Sequence, residues 1–161
     1  MKVGSLAEIK KELTFLDTKE LSVLLLDLAK FSTDNKALLY FKLFERENPR
    51  LFVELVKEEL DLEFQKSNTR NYHFAKKSAQ SIRRKLNKSL KLTKDKETLI
   101  ELITYFCEQF KLYGFLDFRH PVIDNLYRVQ VGKIEKLING LHEDLQYDYQ
   151  DKVFSLKEIL R

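Results

Sequence analysis

Ten Lys or Arg and no Asp or Glu lie between Lys66 and Lys94. Residues 1 to 65 hold 10 basic and 13 acidic residues, and residues 95 to 161 hold 9 and 12. Each flank is therefore net −3, the central segment is +10, and the chain is +4. Cations gathered in this way can neutralise phosphates or carboxylates of a partner and release counterions. On a helical wheel at about 100° per residue, Tyr72, Ala75, Ala79, Ile82, Leu86 and Leu90 form one narrow apolar stripe. Arg70, Lys77, Arg84, Lys88 and Lys91 fall on the opposite side. Lys76, Arg83 and Lys94 flank the stripe on one side, and Lys85 flanks the basic face on the other. Arg70, Asn71, Tyr72 and His73 make a dense polar-aromatic cluster at the start of this helix, where the macrodipole adds partial positive charge. Arg70, His73, Lys77, Arg84, Lys88 and Lys91 are thus the candidate anion- or nucleic-acid-binding residues. The plainer alternative is a solvated face, or pairing with the acids Glu54, Glu58, Glu59, Asp61 and Glu63 just upstream. No helix-turn-helix, zinc-finger or aromatic RNA-binding signature accompanies the basic run.

Catalytic and metal chemistry is hard to place. His73, His120 and His142 are the three histidines, and no HExxH, Glu-x-x-His or Cys-x-x-Cys pattern occurs. Asp117 and His120 are three residues apart in a connection before Pro121, which reads as a capping His beside a surface acid. The single Cys107 sits on a helical stripe with no base to lower its pKa, so it reads as a packed thiol. Glu143, Asp144, Asp148 and Asp151 form an acidic cluster without the order of a calcium loop. It reads as a solvated acidic segment, or as one that folds back over the basic ridge. Four scattered Gly provide no phosphate-cradling loop. No metal or cofactor is expected, and the leading expectation is a protein that is not an enzyme. A site assembled from Tyr72, His73 and distant acids is the enzymatic alternative.

The elements that carry these residues are helices throughout. The chain of 161 residues has four Gly and two Pro, which argues against turn-dense β and low-complexity architectures. Ser5 with Glu8 and Asp17 with Glu20 spell capping boxes before two apolar-periodic runs. Ser32 to Asn35 reads as a turn, and a third helix carries Leu38, Leu39, Phe41 and Phe44. Asn48-Pro49 is the clearest boundary and predicts a fourth helix with an Asn cap and Pro at its first position. A break at Ser67 to Thr69 precedes the basic helix, which runs to about Leu92. A sixth helix ends at Gly114, a glycine C-cap. Phe115 to His120 reads as a connection, and a seventh helix runs to Leu141 with Gly132 and Gly140 inside it. Those glycines suggest a close helix crossing or a helix end. Ser155 with Glu158 reads as a last capping box opening a terminal turn or short helix. The expectation is an all-α fold of six or seven helices, in an irregular bundle or short α-α superhelix. No Gly-, Ser- or Pro-rich linker splits it, so residues 1–161 read as one domain.

The longest apolar run, Leu21 to Leu26, is far below the roughly 20 residues a membrane span needs. With no apolar leader and one unpaired Cys, a cytoplasmic protein without membrane insertion is expected. Three stretches, KELSVLLLDLAKF, NYHFAKKSAQSIRR and LHEDLQYDYQD, resemble an uncharacterised family of small bacterial all-helical proteins. That resemblance covers most of the chain and implies the all-helical fold class and no catalytic residue. Two functions follow from the residues themselves. One is a binding or scaffold protein whose basic face meets nucleic acid or an acidic protein segment. The other is a helical interaction module with an apolar groove.

Overall fold

The computed structural model describes residues 3–159. Eight α-helices and two 3₁₀ turns, with no strand, make up these residues. The contacts divide the chain between Asn48 and Pro49 into two compact units, where the sequence predicts only a helix boundary within one domain.

The first unit holds α1 (Leu6–Leu13), α2 (Thr18–Phe31) and α3 (Thr33–Phe44). Both expected capping boxes form. Ser5 Oγ accepts from the Glu8 amide at 3.3 Å, and Asp17 accepts from the Glu20 amide at 2.8 Å. The Ser5 amide donates back to Glu8 at 2.6 Å and holds its carboxyl below the ordinary value. The expected turn at Ser32 to Asn35 is only one residue long. Ser32 is extended and caps α3 through the Asp34 amide at 3.1 Å, while Asn35 donates to the Leu28 carbonyl at 2.9 Å. Two helices are thereby folded into a hairpin. None of these three helices contains a buried residue.

The second unit holds α4 (Leu51–Gln65), α5 (Tyr72–Ser89), α6 (Lys96–Leu112), α7 (Pro121–Ile138) and α8 (Glu143–Glu158). The 3₁₀ turn Leu90–Leu92 extends α5, and the turn Phe115–Phe118 joins α6 to α7. The helix count exceeds the expected six or seven because Glu143–Glu158 is one sixteen-residue helix. Ser155 lies inside it and donates to the Asp151 carbonyl at 2.9 Å, so the expected capping box there does not form. The cap of α4 also differs. Arg50, not Asn48, precedes the first turn, and its side chain makes no capping hydrogen bond. Helix α7 stops at Ile138, so Gly140 lies beyond it, and a Cβ at Gly132 would meet nothing within 4 Å. Gly132 therefore does not mark a close crossing.

Side-chain pairs give the helix directions. Glu101 of α6 receives Arg50 and Lys57 of the α4 segment, and Tyr105 donates to Asp61. Helices α4 and α6 thus run parallel. Tyr72 stacks on His120 at the start of α7, and Asn87 accepts from Lys133 near its end, so α5 and α7 also run parallel. Lys85 reaching back to Glu59 and Glu63 sets α5 antiparallel to α4. The buried apolar residues of α4 to α8 form one core cluster. Phe64, Phe106, Phe110 and Phe115 are fully buried there, with Phe110 and Phe115 stacked at 4.6 Å. Such aromatic burial is worth several kcal/mol per ring in transfer terms. The Phe115–Phe118 turn is therefore part of the core and more than a connection. Gly114 enters it with φ 73°, the left-handed conformation that favours glycine.

Candidate anion-binding face

Asn71 starts the basic helix by accepting from the Phe74 amide at 3.1 Å. Ala75, Ala79, Ile82 and Leu86 are buried to within 1% and anchor α5 on the core. Two alanines in that stripe let the helix axis approach its neighbours closely. Everything on the opposite side must then face outward. Arg70, His73, Lys77, Arg84, Lys88 and Lys91 are all exposed. Lys77 and Arg84 are seven residues apart on α5, about 10 Å along its axis, and Lys91 follows in the 3₁₀ turn that extends the helix.

Lys85, on the flank, turns toward the acids of α4, at 3.2 Å from Glu59 and 3.0 Å from Glu63. Hydrogen bonding to Glu63 raises its pKa, against a smaller opposing effect of burial. Arg70, Lys77, Arg84 and Lys91 make no ion pair among the described residues. The C-terminal acids do not cover them either. Glu143, Asp144, Asp148 and Asp151 lie in α8, which packs on α7 through Tyr127 and Leu156, and none pairs with α5.

The polar-aromatic cluster is a docking device at one end of the ridge. Tyr72 is half-buried between His73 at 4.7 Å and His120 at 3.8 Å, centroid to centroid. Lys76 lies 5.6 Å above the Tyr72 ring, a geometry in which ring quadrupole and ammonium attract. His120 caps α7, its Nδ1 accepting from the Val122 amide at 3.2 Å, while Asp117 stays exposed. The residue before it, Arg119, has φ 44°, which few non-glycine residues adopt. Cys107 is fully buried, and burial raises its thiol pKa. Among the described residues, no group of three His, Cys, Asp or Glu is placed to hold a metal ion. None of the helices is long and apolar enough to cross a membrane.

A feature that the sequence does not reveal lies on the α7 side of α5. Lys133 of α7 donates to Asn87 Oδ1 at 2.8 Å, beside Arg83 one turn away on α5. Arg83 appears on the wheel only as a residue flanking the apolar stripe, and its partner helix begins 38 positions later. No local spacing could have joined them. Comparison with family models, with curated proteins and with solved structures gave no match to this chain.

Proposed function

We propose that the chain is a non-enzymatic binding protein that lays the outer face of α5 along the phosphate backbone of a nucleic acid. One observation carries this reading. Lys77 and Arg84 on α5, with Arg70 just before the helix and Lys91 in the 3₁₀ turn after it, are exposed and make no ion pair among the described residues, in an acid-free segment. An anionic backbone that meets these cations in succession releases a counterion at each contact. Backbone contact needs no base-reading motif, so sequence-independent binding is the expected mode. The test is fluorescence anisotropy with short single- and double-stranded DNA and RNA from about 50 to 200 mM salt. Binding should weaken steeply with salt. Exchanging Lys77, Arg84 and Lys91 for Glu should abolish it with helicity unchanged. Equal binding by that variant sinks the reading. Binding to an acidic peptide with none to nucleic acid would move the ridge to a protein partner.

A second reading rests on the first unit, which would serve as a helical protein-interaction module. Its α2 is apolar around most of its circumference, and such helices are normally buried. Yet Val23, Leu25, Leu26 and Leu28 are 47–59% exposed, and Phe31 is 87% exposed. Residues 1–48 carry eight basic and eight acidic residues, so an apolar, uncharged helix surface suits them better than an anion does. Light scattering across a concentration series tests self-association through this surface. A mass that stays monomeric for wild type, and is unmoved by Leu25→Glu with Phe31→Glu, excludes a second copy as the occupant.

A further inference from the structure

Two cations converge between α5 and α7 with no acid between them. Lys133 is half-buried and its ammonium has one hydrogen-bond partner, the neutral amide of Asn87. Arg83, one turn before Asn87, is also half-buried and makes no ion pair or side-chain hydrogen bond among the described residues. Its Nε is buried without an acceptor. The two Nη nitrogens also lack a protein partner, yet they are not sealed from solvent. Glu135, the acid nearest Lys133 in sequence, is engaged by Lys157 of α8. Burial, and then the positive charge of Arg83, hold the Lys133 ammonium below the ordinary lysine value.

Like charges are normally kept apart or separated by a carboxylate, because desolvating unpaired cations is costly. Here the fold places them side by side and supplies only an amide oxygen. A guanidinium fork beside an ammonium point charge is complementary to a tetrahedral oxyanion, since the fork can donate twice and the ammonium once. The site borders the exposed face of α5 described above, from which Arg83 is separated by about a quarter turn.

We propose that Arg83 and Lys133, steadied by Asn87, seat one phosphate group of the backbone that runs along the α5 ridge. This rests on the nucleic-acid reading of the ridge and adds a partly desolvated anchor to its otherwise solvated contacts. Such an anchor contributes more per contact than a surface lysine, because solvent screens it less. It also fixes the register of the strand on the protein, which the evenly spaced ridge cannot do.

The test uses the full chain and two probes, inorganic phosphate and a short single-stranded oligonucleotide. Phosphate should move the side-chain NMR signals of Arg83 and Lys133 saturably, and chloride at equal ionic strength should not. Lys133→Gln should lower the magnitude of the oligonucleotide salt slope by about one and weaken affinity several-fold. Asn87→Asp puts a carboxylate where the amide accepts from Lys133. It should raise the melting temperature and remove the phosphate response. Because that variant is expected to be more stable, a loss of binding cannot be put down to unfolding. If phosphate and chloride act alike on the folded wild type, the seat is overturned, even where the ridge still binds DNA. If the ridge variant binds DNA normally while phosphate still finds Lys133, the ridge fails and the seat stands as a separate phosphate site.

Discussion

The Tyr72 and His120 rings stack with centroids 3.8 Å apart and planes 26° from parallel, tying the first residue of α5 to the N-cap of α7. Each ring sits where its helix begins, so one contact sets both starting points and the parallel course of the two helices. The face of α5 and the seat between α5 and α7 both depend on that alignment.

His120 contributes in two separable ways, as cap and as stacking partner. His120→Ala removes both and should cost about 2 kcal/mol, combining a typical cap with an aromatic pair. His120→Asn keeps an acceptor at the cap and should cost only about 1 kcal/mol. A double-mutant cycle with Tyr72→Leu, followed by urea unfolding, isolates the stack. A coupling near zero would show that the rings are adjacent without stabilising one another.

Glu101 should make the second unit acid-sensitive. Arg50 donates to it at 2.7 and 2.8 Å and Lys57 at 2.7 Å. The hydrogen bonds from Arg50, opposed by burial and reinforced by Lys57, pull its carboxyl down from 4.5 to about 2. A carboxylate held below its unfolded value adds stability above that value and loses it as the pH falls. Glu101→Gln should therefore cost about 1–2 kcal/mol at pH 7, a figure reduced for the partial exposure of the site. The difference from wild type should shrink between pH 4.5 and 2. Urea midpoints of both proteins across that window check this, and a constant gap would mean that the charge of Glu101 is not what stabilises.

Much of the local structure is legible in the sequence, and little of the assembly is. Ser5 with Glu8, Asp17 with Glu20, and Gly114 specify their caps through contacts within four residues, so their patterns can be read directly. Ser155 with Glu158 spells the same motif and fails. An N-cap needs an extended backbone before it, whereas Ser155 follows three unbroken turns of α8 and bonds back to Asp151. The exposure of His73, Lys77, Arg84 and Lys88 is legible because one helix carries them opposite its apolar stripe. The Arg83–Lys133 pair and the Arg50–Glu101 bridge are not, since each joins residues about 50 positions apart and depends on how the helices pack. Likewise, only the structure shows that Lys85 meets the α4 acids Glu59 and Glu63 while Lys77 and Arg84 make no ion pair among the described residues.

Cys107 should report opening of the core. It is fully buried, and burial raises its pKa, so little thiolate exists at neutral pH and none is accessible. A thiol reagent should leave the native protein unlabelled and react fully in denaturant. Under native conditions the labelling rate should follow the opening equilibrium and fall as stabilising substitutions are added. Fast stoichiometric labelling of the native protein would contradict the packed position of α6.

Gly132 offers the converse, a position where the sequence can be improved. It lies in the middle of α7, and a Cβ there would meet no atom within 4 Å. Its backbone is helical, so an alanine needs no conformational change and clashes with nothing. Glycine in a helix interior is about 0.5–1 kcal/mol worse than alanine, chiefly because its unfolded chain is freer. Gly132→Ala should thus raise stability by about that amount in urea unfolding. It points about 100° away from Lys133 on α7 and the added methyl meets no atom within 4 Å, so phosphate binding should be unaffected. A destabilised variant would show that α7 needs the glycine, either for a bend or for a partner that approaches its backbone. The variant's response to phosphate would then separate those two causes, because a bend shifts Lys133 away from Arg83 whereas a lost partner leaves the seat intact.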